Sequence, residues 1–261
     1  MVAAVAGLAT LGACTSAADR PAGTPADGNR SGTAAPGPSG DLTVFAAASL
    51  HSVFEEIATL LEQQHPELSI TFSFAGSSDL VSQVVAGAPA DVLATADEQT
   101  MANAVAEGVI DGEPGLFAEN VLTLVTPAGN PAGITGLDVS LDGADLVVCA
   151  PQVPCGAATA ELTGLLGVEI SPVSEESNVT DVLGKVTSGQ ADAGLVYATD
   201  AAGAGDAVDV LEIPGAQDVV NRYPVATVAD AAEPELAELW IEALSSEAGR
   251  EILSDTGFRL P

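Results

Sequence analysis

Positive charge is scarce in this chain. Its 261 residues hold six Lys and Arg against 37 Asp and Glu, a formal net charge of −31. Binding a nucleic-acid backbone needs clustered cations, and an anionic membrane surface repels a body of this sign; neither is an expected partner. Aromatics are also few, at 3%: one Trp, two Tyr and six Phe. Apolar residues make up 47%, so a core must be built from Ala, Val, Leu and Ile. Short aliphatic strands covered by Ala-rich helices suit that supply, which points to α/β layering. Histidine is limited to His51 and His65, and neither a Gly-x-Ser-x-Gly elbow nor a paired metal-ligand histidine motif occurs. There is no internal repeat of roughly 20–50 residues. The length suits about one to two domains.

Cysteine is rare too, and its placement is informative. Val2–Ala13 reads VAAVAGLATLGA, a small-residue apolar run too short to span a bilayer but shaped like an export signal. Its end, Leu11-Gly12-Ala13-Cys14, resembles a bacterial lipobox, so Cys14 is the expected lipidation site and residues 1–14 the signal segment. No Lys or Arg precedes the run, which places the expected true start upstream of Met1. Residues 15–40 contain nothing able to anchor a core and are expected to be a disordered tether, with a reach of roughly 25–30 Å. The remaining cysteines, Cys149 and Cys155 in CAPQVPC, are expected to form a disulfide in an exported chain.

From Asp41 onward short apolar runs alternate with helical patterns. Leu42–Ala46, Ile70–Phe74 and Asp91–Thr95 read as strands, with helices at Leu50–Gln64, Asp79–Ala86 and Glu98–Glu107. A second series follows: strands Val121–Thr126, Asp145–Ala150, Val168–Ile170 and Gly194–Ala198, helices Ala157–Leu166 and Val179–Ser188. Tyr223–Val228 reads as a further strand and Pro234–Leu244 as a helix. This βα alternation predicts two lobes, each a mostly parallel sheet flanked by helices, with the chain crossing near Asn120 and again near Tyr223. Lobe 1 is then residues 41–120 plus 223–261, and lobe 2 residues 121–222.

Ligands of open α/β sheets bind beyond the carboxyl ends of strands, where helices begin. Ser49 follows the first strand as an expected helix N-cap, with Ser52 and Glu55 completing a possible capping box. Ala75-Gly76-Ser77-Ser78 follows the second strand, Pro154-Cys155-Gly156 and Asn178-Val179-Thr180 open helices in the second half, and Tyr197 closes a strand. Helix N-termini carry unpaired N–H groups and partial positive charge, which suits anions. The body past residue 40 has only Lys185, Arg222, Arg250 and Arg259 as cations, and they are scattered. An anion held there must be held by neutral donors. That favours a fully ionised tetrahedral oxyanion over phosphate, which keeps a proton and needs an acceptor; Asp79 is the nearest candidate for one.

At these residues the sequence resembles the molybdate-binding proteins of bacterial ABC importers. The resemblance is carried by Val44-Phe45-Ala46-Ala47-Ala48-Ser49-Leu50, Phe74-Ala75-Gly76-Ser77-Ser78, Gly87-Ala88-Pro89-Ala90-Asp91-Val92 and Pro151-Gln152-Val153-Pro154-Cys155-Gly156. It continues through Gly194-Leu195-Val196-Tyr197, Tyr223-Pro224-Val225 and Gly257-Phe258, in order from about Leu42 to Pro261. It implies a two-lobed periplasmic-binding-protein fold of type II that encloses molybdate or tungstate without counter-cations. It also implies the ligand set: the hydroxyls of Ser49 and Ser77, the backbone N–H groups of Cys155 and Val179, and the hydroxyl of Tyr197. Cys155 stands where Ala is usual, and Gly76 where Ser is common. No cofactor is implied, molybdenum entering only as the centre of the transported oxyanion. The implied partners are a membrane permease and its ATPase, the membrane itself being met only through a lipid anchor. The protein is then an extracytoplasmic monomer.

Rival readings are fewer. A serine hydrolase would need a base for Ser49, and His51, two residues on, lies on the wrong face if a helix begins there. An amino-acid binder would want an Arg at a strand end, and a cation binder a compact acidic or His cluster. Sulfate, with the same charge and only acceptors, is the serious alternative.

Overall fold

The computed structural model describes residues 37–261. The expected signal segment, the lipidation site Cys14 and the tether up to residue 36 lie outside the described residues. The tether was expected to run to residue 40, but Gly40 already belongs to the first strand, its N–H bonded to the Glu67 carbonyl at 3.0 Å.

Two five-stranded sheets form the frame. The first contains β1 (Gly40–Ala47), β2 (Leu68–Ala75), β3 (Val92–Ala94), β4 (Ile110–Asn120) and β10 (Asn221–Val228), in the order β2-β1-β3-β10-β4. The second contains β5 (Leu122–Pro127), β6 (Leu146–Cys149), β7 (Ser174–Glu176), β8 (Ala193–Tyr197) and β9 (Val208–Leu211), in the order β7-β6-β8-β5-β9. Each sheet has a parallel trio, β2-β1-β3 and β7-β6-β8, extended by two antiparallel strands. The sheets are thus mixed, the parallel trio being the part that βα alternation announces.

Helices α1 (His51–Gln64), α2 (Ser77–Val85) and α3 (Glu98–Ala106) follow β1, β2 and β3. In the second lobe α4 (Pro154–Leu166), α5 (Val179–Thr187) and α6 (Ala198–Ala204) follow β6, β7 and β8. The chain then returns through β10, and α7 (Pro234–Ser245) and α8 (Glu247–Asp255) complete the first lobe. Helix starts have local causes. Asp97 accepts from the Thr100 N–H at 2.7 Å, Asn178 from Asp181 at 2.9 Å and Ser246 from Gly249 at 3.0 Å. Among the described residues no helix is long and apolar enough to cross a membrane.

The few aromatics are not spread evenly. Tyr197 is the one aromatic between residues 121 and 222, so the second lobe's core is aliphatic. In the first lobe Trp240 is fully buried and packs edge-on against Phe54, with ring centroids 5.1 Å apart. Contacts continue from Phe54 to Phe117, from Phe117 to Tyr223, and from Tyr223 to Tyr197. A rigid aromatic chain therefore runs from the first lobe's core to the boundary between lobes.

Several elements differ from expectation. Val168–Ile170 is not a strand. Gly167 ends α4 in the left-handed conformation (φ 65°), and Val168 and Ile170 are apolar because they lie against the core. The edge position belongs instead to the polar Ser174–Glu176. The strand β4, sequence IDGEPGLFAEN, carries two glycines and a proline and has no strand signature of its own. Pairing with β10, across two register shifts, holds it in place. β10 opens at Asn221, two residues before the expected lobe boundary.

Candidate binding site

The carboxyl ends of the two parallel trios face each other. The turns beyond them line a small, half-open cavity in which the centre of a water-sized sphere can range over about 20 Å³, room for one compact solute and too small for a sugar or an amino acid. All five residues expected from the sequence line it: Ser49, Ser77, Cys155, Val179 and Tyr197. None of the residues lining it is charged.

Each lobe supplies donors differently. Ser49 sits in a short 3-10 turn, Ala48–Leu50, between β1 and α1. It is not the N-cap of α1, whose cap Leu50 makes no side-chain bond. Its hydroxyl lies 3.0 Å from the hydroxyl of Tyr223, on β10. Ser77 is the first residue of α2, and its Oγ accepts from the Ala96 N–H at 3.0 Å. In both cases a neighbour in the same lobe can occupy the acceptor side of the serine. Ala96 N–H does so outright, and Tyr223 does so when it donates, leaving each serine proton free for the cavity.

The second lobe brings helix ends. Pro154 opens α4, putting Cys155 in its first turn, and Asn178 caps α5, putting Val179 first. First-turn N–H groups have no partner inside their own helix, and each helix end adds a partial positive charge. With α2 from the other lobe, three helix N-termini converge on the cavity. Cys155 is joined to Cys149, at the end of β6, by a disulfide with a Cα–Cα distance of 5.6 Å. The turn bearing the Cys155 amide is thus bolted to the strand that precedes it.

Tyr197 ends β8 and is 1% exposed. Its ring lies edge-on to that of Tyr223, centroids 6.0 Å apart, and its hydroxyl has no hydrogen-bond partner among the described residues. A buried phenol left unpaired is costly. Burial holds its pKa well above the ordinary tyrosine range, and the nearby Tyr223, Asp97 and Asp200 reinforce the shift. Burial raises Tyr223 likewise, with Asp200 adding to it. Both phenols therefore remain protonated donors at neutral pH. Asp200, partly buried in α6, accepts from the Tyr197 N–H at 3.1 Å, and burial pushes its pKa up to about 7.

The cations stay elsewhere. Lys185 pairs with Glu176, and Arg222 with Glu119 at 3.3 Å. His51 is exposed beside Glu55 at 3.6 Å and against the Phe74 ring, and does not line the cavity. Ser49 has a phenol, not an imidazole, as its partner. Asp79, the acceptor a protonated anion would want, does not line the cavity either. Among the described residues no group of three His, Cys, Asp or Glu is placed to hold a metal ion. The residue that sequence reasoning missed is Tyr223. It stands 174 positions from Ser49, and only its membership of the Tyr-Pro-Val motif marked it.

A cleft lined with uncharged donors between two α/β lobes is the architecture of a solute-binding protein, and the sequence carries the matching family signature. The family model described as bacterial extracellular solute-binding protein matches residues 42–259. The chain belongs to this family. Within it, the chain is 42% identical over 258 residues to the molybdate-binding protein ModA of Mycobacterium tuberculosis, covering 98% of this chain and 94% of that one. Among solved structures, the periplasmic molybdate-binding protein of Azotobacter vinelandii superposes with a TM-score of 0.75 at 22% identity, over 84% of this chain and 99% of that one. The sulfate-binding protein SubI of Mycobacterium tuberculosis superposes with a TM-score of 0.69 at 20% identity, over 84% and 86%. These structural likenesses speak for the fold, which this solute-binding protein shares with carriers of more than one oxyanion.

Proposed function

We propose that this solute-binding protein captures molybdate, and tungstate with it, between its two lobes and delivers it to an ABC permease and its ATPase. The observation that carries the reading is the cavity itself. It is sized for one compact solute, free of charged side chains, and lined by hydroxyls and helix-end amides, with one buried phenol that has no partner among the described residues. A doubly charged tetrahedral oxyanion offers only acceptors and needs only donors. The 42% identity to a protein named for molybdate supports the choice among oxyanions. The ligands are Ser49 and Ser77 through their hydroxyls, Cys155 and Val179 through their amides, and Tyr197 through its phenol.

Binding proceeds by closure: the anion rests on the serines of one lobe and recruits the amides and phenol of the other, stabilising the closed form. The closed form is what the permease recognises. Cys14 carries the lipid that keeps the monomer at the extracytoplasmic face of the membrane, and the protein performs no catalysis.

Calorimetric titration of the purified chain with molybdate, tungstate, sulfate and phosphate is the test. Molybdate and tungstate should bind alike, with sulfate and phosphate weaker by more than about tenfold, a difference above 1.4 kcal/mol. Tightest binding of sulfate would transfer the reading to that anion, and no binding of any would end it. Fractionation of cells carrying Cys14→Ser should move the protein out of the membrane fraction; retention there would refute the anchor.

A further inference from the structure

The last residues of the chain are fixed from both sides. α8 ends at Asp255, and Gly257 follows in the left-handed conformation, with φ 96°. The Gly257 N–H bonds to the Ser254 carbonyl and the Phe258 N–H to the Leu253 carbonyl, both at 3.0 Å. This is the Schellman ending of a helix, and glycine suits it because an L side chain is strained at that angle. Space is not the constraint, since an added Cβ would come no nearer than 3.7 Å to the Thr199 side chain. One residue past Phe258, Arg259 exchanges backbone hydrogen bonds with Glu119 of β4, at 2.8 and 3.0 Å. The backbone of Phe258 is thus tied to α8 on one side and to β4 on the other. Its ring is 4% exposed and meets Tyr223 edge-on, with centroids 5.5 Å apart.

Tyr223 is caged by rings. Besides Phe258, Phe117 of β4 stands edge-on to it at 6.4 Å and Tyr197 at 6.0 Å, and its own side chain is fully buried. Edge-to-face packing sets the plane and axis of a ring, and the axis of a tyrosine ring decides where its oxygen lies. Here that oxygen lies 3.0 Å from Ser49 Oγ. We propose that Phe258 is a positioning residue of the anion site: it holds the Tyr223 phenol against Ser49, so that the serine proton is left for the cavity. This role rests on the oxyanion reading above, and it is exercised wholly within the first lobe. Gly257 serves it by aiming Phe258, which gives the Gly257-Phe258 motif a function at the site. Because Phe258 acts only through the Tyr223 hydroxyl, its loss can weaken binding no more than loss of that hydroxyl, about two- to tenfold. A ring that only filled the core would change stability and leave affinity alone.

The test is a double-mutant cycle. Wild type, Phe258→Leu, Tyr223→Phe and the double variant are titrated with molybdate, tungstate, sulfate and phosphate, and their unliganded melting temperatures are measured. Leucine keeps the position apolar while removing the ring edge. Leu244→Ala, at a position of α7 that is 1% exposed, serves as a core variant remote from the phenol. Whichever anion binds wild type should bind Phe258→Leu about two- to fivefold more weakly. The double variant should bind it no more weakly than Tyr223→Phe alone, since both changes remove the same interaction. Leu244→Ala should melt lower and bind like wild type. Unchanged affinity in Phe258→Leu would overturn the proposal and leave the oxyanion reading standing. So would a Phe258→Leu loss that persists in the Tyr223→Phe background, or an equal loss in Leu244→Ala, because the ring would then act through the fold at large. If no anion of the set binds wild type, the oxyanion reading falls and the role of Phe258 falls with it.

Discussion

Replacing Tyr197 with Phe should move stability and affinity in opposite directions. The ring is 1% exposed and keeps its edge contact with Tyr223, whose centroid is 6.0 Å away, so Phe fills the same space. What is lost is a hydroxyl that has no partner among the described residues. A buried donor left unpaired costs about 1–3 kcal/mol, and removing it should stabilise the unliganded protein by up to that amount. For a body of this size that corresponds to a melting temperature higher by about 2–4 °C per kcal/mol. On the proposed reading the same hydroxyl donates to the charged anion when it binds, an interaction worth about 1.5–3 kcal/mol. The variant should therefore bind roughly 10- to 150-fold more weakly. Thermal denaturation without ligand and calorimetric titration with molybdate measure the two effects separately. A variant that melts lower and binds as tightly as wild type would refute the reasoning, because the hydroxyl would then serve the fold and not the ligand.

Tyr223→Phe should weaken anion binding by about two- to tenfold without abolishing it, because Ser49 loses the phenol 3.0 Å away that orients its proton; equal affinities in titration would show that Ser49 orients itself. Cys149→Ser should lower affinity while leaving the Cys155 amide chemically intact, since the disulfide is what ties its turn to β6; unchanged affinity under oxidising conditions would dismiss that tie. Asp200→Asn tests the partly buried carboxylate of α6. Its pKa is raised from the ordinary 3.8 to about 7, so between those values the folded protein holds a proton that the unfolded chain has released. Stability contributed by this group is therefore full below about pH 3.8 and is lost as pH rises towards about 7, on the order of a few kcal/mol at most. Asn cannot ionise, so the stability difference between variant and wild type should grow in the variant's favour across that window in denaturant titrations. A difference independent of pH would contradict the assignment.

The parts of this molecule written in local patterns were readable from the chain alone. Asn178 before Val179 marks a cap, Pro154 marks a helix start, and the Gly/Ser turn after Ile70–Phe74 marks a strand end, because each acts on residues within three or four positions. The charge ledger was readable too: a body with four scattered cations cannot neutralise an anion with a basic pocket. By contrast β4 has no strand signature, and is a strand because β10, about a hundred residues later, hydrogen-bonds to it. Val168–Ile170 looked like a strand because burial and strand formation both select apolar residues, and neighbours of the core need not be paired.

The cavity follows the same division. Local pattern determines where each donor begins: a serine after a strand, an amide at a helix start, a phenol at a strand end. It does not determine what those donors meet. Ser49 resembles a helix cap until Tyr223 arrives from the returning strand, and the Gly76 turn shows no partner until Ser177 lies against it. Caps and turns are settled by energies between near neighbours, which the order of residues states directly. Contacts between lobes depend on how two separately built sheets come together, and that is recorded only in three dimensions.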